Sequence, residues 1–143
     1  MIRLEKLSRE FQVGNQVVHA LDEVDLEIKE NEYVSIMGVS GSGKSTLLNI
    51  LGLLDTPTSG DYILSGINTS KMDDDEMAGI RSTKIGFVFQ SFHLIPRLTA
   101  FENIEMPMIL SGMNPKERSE KVNSALEKVG LTDRSDHKPE QLS

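Results

Sequence analysis

The run Gly38-Val39-Ser40-Gly41-Ser42-Gly43-Lys44-Ser45 matches every fixed position of G-x-x-x-x-G-K-[ST]. Its chemistry is recognition of a polyphosphate. The glycines let the backbone curl so that successive N–H groups point at one anion. A helix beginning near Lys44 adds the positive end of its dipole. Lys44 sets an ammonium between the terminal phosphates, and the Ser45 hydroxyl is a ligand for Mg²⁺. Thr46 offers one more hydroxyl and N–H at the next helical position. At ordinary residue frequencies the pattern arises by chance in about 1 in 200 chains of this length. The plain alternative is a glycine-rich connector with a capping serine. The flanking residues favour a site for a nucleoside triphosphate.

Such a loop has to be held between a strand and a helix. Tyr33–Met37 is a short apolar run, which predicts a strand buried on both faces. Leu47, Leu48, Ile50, Leu51 and Leu54 follow with helical spacing. Strand, glycine loop and helix together make an α/β opening. Upstream, Val24, Leu26 and Ile28 alternate with charged residues, as Ile2 and Leu4 do more briefly, the period of a sheet with one wet face. Val13-Gly14-Asn15-Gln16 reads as a hairpin turn, Thr56–Gly60 as a turn, and Asp61–Leu64 as a short strand ending at Ser65-Gly66. A helix is expected from Asp73 to about Ser82. Ile85–Phe89 then predicts a second buried strand, followed by Gln90. Thr99 and Glu102 form a capping-box pattern, and Pro107 is expected to limit that helix. Asn114-Pro115 starts the last helix, whose apolar face is Val122, Ala125, Leu126 and Val129, and Gly130 stops it. A β part, an α/β core and a helical part is the coarse order.

Composition narrows the function. At 143 residues there is room for one domain or a piece of a larger one. The absence of cysteine excludes disulfide scaffolds, zinc ribbons and thiol catalysis. A net charge of −7 without a basic cluster argues against nucleic acid as a partner. The most apolar stretch, Leu47–Leu54, is far short of the roughly 20 residues a membrane helix needs. The N-terminus has no apolar leader region, so a cytosolic chain is the default. The base-reading Asn-Lys-x-Asp string of small GTPases is absent, and so is their Asp-x-x-Gly switch after the loop. A soluble P-loop phosphotransferase of the kinase type, acting alone, stays open on the residues alone, as does a nucleotide-binding piece without catalysis.

The combination VSIMGVSGSGKSTLLNILGLLDTPTSGDYILSGIN, KIGFVFQSFHLIPRLTAFENIEMPM and HKPEQLS resembles the ATP-binding subunit of an ABC transporter. The likeness covers the whole chain and is strongest to the subgroup serving lipoprotein release, macrolide export and related peptide or drug efflux. It implies an α/β P-loop NTPase fold of the ABC ATPase type. Residues 1–32 would be an antiparallel β subdomain, 33–98 a partial RecA-like core with the Q-loop, and 99–143 the start of a helical subdomain. Phe89-Gln90 resembles the Q-loop, which makes Gln90 a Mg²⁺ ligand and a catalytic residue beside Lys44. A neutral amide accepts the metal on its oxygen and steers water with its NH₂. Phe11 lies where the family stacks an aromatic, commonly Tyr, on adenine; Phe keeps the ring face and loses the hydroxyl. The resemblance implies ATP as nucleotide, a transmembrane permease as partner, and pairing of two such domains around ATP. It also implies a cytoplasmic place on the inner face of the membrane.

Leu142-Ser143 resembles the first two residues of the LSGGQ signature. The Walker B aspartate, catalytic glutamate and switch histidine of the family have no counterparts here, and His19, His93 and His137 do not match the switch position. The expectation is therefore a chain truncated within the signature, with negligible ATP hydrolysis by residues 1–143 alone. In the family, later strands lie between the P-loop strand and the Gln90 strand, so exposed strand edges are expected too. Asp73–Glu76 reads as charge at a helix N-terminus rather than a metal cluster. Phe92, Leu94, Ile95 and Leu98 read either as core or as a surface that docks the permease, which Phe101, Met106 and Met108 would extend.

Overall fold

In the computed structural model every residue except 92 and 143 is described. Two compact units result, one through residue 88 and one from residue 89 on. The first is built on an antiparallel sheet in the order β2-β1-β3-β4. Its strands are β1 (Ile2–Val13), β2 (Gln16–Ile28), β3 (Ser59–Leu64) and β4 (Ile67–Asn68). Val13 pairs with Gln16 around a two-residue turn in which Gly14 takes φ 60°. That left-handed geometry matches the twist of the flanking strands.

The β1–β2 register shifts between Leu4 and Leu7 and again around Arg9. Lys6 and Glu23 stand at φ 46° and 43° where the ladder breaks. Side chains take up the displaced amides: Asp25 Oδ1 accepts from Lys6 N–H at 2.8 Å, and Ser8 Oγ from Glu23 N–H at 2.9 Å. The shifts interrupt strict alternation, so Leu7 and Ser8 are both buried.

Helix α1 (Lys44–Leu51) packs Leu47 and Ile50 into a core with Leu4, Leu7, Leu21, Leu53, Tyr62, Leu64 and Met77. Gly52 is followed by Leu53 in the left-handed region, φ 53°, with Leu53 N–H on the Ile50 carbonyl and Leu54 N–H on that of Asn49. This is a Schellman ending with leucine where glycine is usual. Burial of the Leu53 side chain and a bond from Arg81 Nη1 to its carbonyl at 2.5 Å offset the strain.

Tyr62 is 1% exposed and donates its hydroxyl to the Leu51 carbonyl at 2.8 Å. Burial pushes its pKa up from 10 to about 12. The fold favours the neutral phenol, so this contribution is complete below pH 10 and is lost as pH rises towards 12. We expect stability to fall by about 1.4 kcal/mol per pH unit in that window. Chemical denaturation of the intact protein and of Tyr62→Phe across pH 9–12 checks this. The variant should lack the tyrosine-dependent part of the slope.

Helix α2 (Asp74–Lys84) begins at Asp73, whose carboxylate accepts from Glu76 N–H while Glu76 returns the bond to Asp73 N–H. The acidic run is thus a capping box.

The second unit holds α3 (Ala100–Leu110) and α4 (Pro115–Lys128), packed through Ala100, Val122 and Leu126 with Phe101, Ile104 and Met108 against them. Thr99 and Asn114 cap these helices. Arg118 ties α4 to Glu105 of α3 at 2.9 Å and to the Met113 carbonyl at 2.6 Å. Gly130 closes α4 in a Schellman motif, with Leu131 N–H on the Leu126 carbonyl at 2.9 Å.

Three expectations are corrected. Tyr33–Met37 and Ile85–Phe89 are not strands; neither joins a ladder among the described residues. Tyr33, Met37 and Val88 are almost fully exposed, whereas Ile36 and Ile85 pack against the first core. A central strand is defined by its ladder, and neither run enters the β2-β1-β3-β4 sheet. Pro107 does not end α3, which continues to Leu110. A proline there forfeits one bond to the carbonyl four residues back, at Asn103.

Candidate functional site

Strand β2 and the start of α1 build the site. Gly43 caps α1 in the left-handed region, φ 85°. A Cβ there would run into the Ala20 carbonyl oxygen and press on Leu21 Cδ2 at 3.1 Å. The loop backbone therefore lies directly on β2, in a conformation and a space that only glycine fits. Within the loop, Ser42 N–H donates to the Val39 carbonyl at 3.3 Å.

Lys44 folds back over its own loop. Its Nζ donates to the carbonyls of Gly38 at 2.9 Å and Val39 at 2.5 Å, and reaches Ser42 Oγ at 3.4 Å. The ammonium thus pins the start of the loop to its end.

α2, α3 and α4 each close their N-termini with a side-chain oxygen. α1 has no side-chain cap and no acidic residue in its first turn. Its leading N–H groups have no acceptor within the helix, and the positive end of its dipole faces the loop uncompensated. A concavity of about 560 Å³ opens there, lined by Val18, His19 and Ala20 of β2 and by Ser40, Gly41, Gly43, Lys44, Ser45 and Thr46. That size suits a nucleotide-sized ligand. Gly38, Val39 and Ser42 contribute through their bonds with Lys44 instead of lining it.

Phe11 lies directly opposite Val18 in the β1–β2 ladder, with 37% of its surface exposed. The Arg9 guanidinium sits over its ring, 4.7 Å from the centroid. Gln90 is exposed and belongs to the second unit. Phe92 and Ser143, read as a docking or core residue and as part of the signature, lie outside the described residues. Leu94 and Ile95 are exposed, whereas Phe101 and Met108 serve the second core. His19 Nδ1 is 3.1 Å from Glu10 Oε1. Among the described residues no group of three or more acidic or histidine side chains is arranged to hold a metal ion.

Sequence reasoning missed Val18, His19 and Ala20. The hairpin turn held the signal, because fixing Val13 against Gln16 places Val18 opposite Phe11.

A sequence model of the ABC transporter family matches residues 21–143, from the buried Leu21 that supports Gly43 through the loop, Gln90 and the helical unit. The chain belongs to the ABC transporter family. It is 53% identical over its full length to an uncharacterized ABC transporter ATP-binding protein, YknY, of Bacillus subtilis, and covers 62% of that protein. It is 48% identical to the macrolide export ATP-binding/permease protein MacB of Rhodopseudomonas palustris, over 99% of this chain and 22% of MacB. It matches the solved dimeric ATP-binding cassette MJ0796, bound to ADP and Pi, with a TM-score of 0.86 and 48% identity. That cassette is from Methanocaldococcus jannaschii. The match covers all of this chain and 63% of the cassette. The chain thus spans a little over three-fifths of the length of YknY and of the MJ0796 cassette. ABC membership sets the kinase alternative aside. No helix among the described residues is long and apolar enough to cross a membrane.

Proposed function

We propose that this ABC chain is the nucleotide-binding part of an ATPase subunit that couples ATP binding and hydrolysis to movement of a substrate through a membrane partner. The substrate would be of lipoprotein, peptide or drug type. The supporting observation is the Lys44 ammonium held across the loop at the one uncapped α-helix among the described residues. A fixed cation, an open helix N-terminus and glycine amides suit the anionic tail of ATP and fit little else so well.

In this reading Gly38 to Thr46 hold the phosphates and Phe11 stacks the adenine. Lys44 and Gln90 act on the transferring phosphoryl group, and Ser45 and Gln90 are the Mg²⁺ ligands. Magnesium, when bound, supplies positive charge to the phosphate oxygens. Residues 1–32, 33–98 and 99–143 would be the β subdomain, the core with the Q-loop, and the start of the helical subdomain. Two copies would pair around ATP, on the cytoplasmic face of a membrane holding the permease.

The test is ATP-dependent association of the intact protein. Sedimentation should show a monomer–dimer shift with Mg·ATP and reversal as phosphate is released. Phosphate transfer to a small acceptor by a persistent monomer would contradict the proposal.

A further inference from the structure

The geometry points to Arg9 as a positioning residue for the nucleotide base: it backs the Phe11 ring and fixes it as a platform, so the side chain sets affinity for the adenine end of ATP and not for the phosphates. The inference rests on the proposed stacking of adenine on Phe11.

Three observations carry it. First, Arg9 and Phe11 are two apart on β1, and the guanidinium carbon lies 4.7 Å from the ring centroid, within cation–π range. Second, the guanidinium is held from behind. Its Nε and Nη2 donate to the two carboxylate oxygens of Asp55 at 2.9 and 2.8 Å, with both side chains 23% exposed. A bidentate pair of this kind fixes the plane of the guanidinium. Third, Asp55 is itself placed. Its Oδ1 also accepts from Thr56 N–H at 2.8 Å, and the segment after α1 is laced to β1 by Thr58 N–H to the Ser8 carbonyl at 2.8 Å and Glu10 N–H to Thr58 Oγ1 at 3.0 Å. The ring platform is therefore keyed to the far end of the same helix whose N-terminus faces the phosphate loop.

A guanidinium on one face of a phenyl ring draws on its π density. The ring then stacks more favourably with a second π system on its other face. The fixed stack also removes rotamer freedom that Phe11 would otherwise lose on binding.

The test is binding of Mg·ATP and Mg·tripolyphosphate to the intact protein by titration calorimetry, for wild type, Arg9→Ala, Arg9→Lys, Phe11→Ala and the Arg9→Ala/Phe11→Ala double variant. Tripolyphosphate reports the loop alone. Arg9→Ala should weaken ATP about three- to tenfold and move tripolyphosphate less than about twofold. Arg9→Lys can retain a charge pair with Asp55 but has no flat face, so it should show most of the same ATP-selective loss. In the Phe11→Ala background, Arg9→Ala should add nothing. Equal losses for both ligands, tighter ATP binding by Arg9→Ala, or an Arg9 effect that persists without Phe11 would each overturn the platform. Wild-type protein that binds tripolyphosphate but takes ATP no better would instead refute adenine stacking itself. Wild-type protein that binds neither would refute the phosphate-loop reading.

Discussion

Gly43→Ala is expected to reduce affinity for Mg·ATP by roughly 100-fold or more while leaving the antiparallel sheet folded. The left-handed φ of 85° costs a non-glycine residue about 1–2 kcal/mol. The larger effect is displacement, because the added Cβ meets the Ala20 carbonyl, at the β2 bulge flanked by the paired residues His19 and Leu21 that hold the strand in place. The loop and the first turn of α1 must move off β2 instead, and their amides then cease to converge. Titration calorimetry with far-ultraviolet circular dichroism checks both halves. Near-normal ATP binding would mean that loop geometry is not what selects the ligand. Gly14→Ala is a useful control, because its Cβ meets nothing within 4 Å although its φ is also positive.

Lys44→Ala should be comparably severe. The ammonium makes two contacts to loop carbonyls and one to Ser42 Oγ, so its removal deletes a cation and uncouples Gly38 and Val39 from the helix. Losing one member of a close charge pair costs about 2–5 kcal/mol, which puts the drop in ATP affinity between roughly 30-fold and several thousand-fold. Lys44→Arg should not restore binding, since a flat fork does not replace a compact three-donor ammonium. The signature is dependence on phosphate number: the loss should be largest for ATP, smaller for ADP and slight for AMP. A uniform loss across the three would point to unfolding, and no loss would remove Lys44 from the site.

What the sequence made legible was local. Asp73, Thr99 and Asn114 each bond an amide three residues ahead, and a motif that short is complete within its own window. The same holds for the Gly14 turn and for the glycine-lysine loop. The apolar runs Tyr33–Met37 and Ile85–Phe89 were misread because extended backbone becomes a strand only through partners, and hydrophobicity names no partner. Pro107 was read as a stop from its own chemistry, whereas packing of Ile104 and Met108 on either side of it carries α3 onward. Gly52 marks the end of α1, but Leu53 adopts the left-handed position, which no propensity would assign to a buried leucine. Arg9 and Asp55 are 46 residues apart, and nothing in the spacing of either announces the other. Asn103 is similar: its side-chain amide donates to the carbonyls of Ile95, Leu98 and Thr99 and accepts from Ile95 N–H, fixing the approach to α3.

The backbone amides of residues 38–46 report most directly on whether the loop is a polyphosphate cradle. In ¹⁵N–¹H correlation spectra of the intact protein titrated with Mg·ATP, the largest shifts should fall on Gly41, Gly43, Lys44, Ser45 and Thr46, and AMP should not reproduce them. Shifts centred elsewhere, with those five amides unmoved at saturating Mg·ATP, would contradict the account.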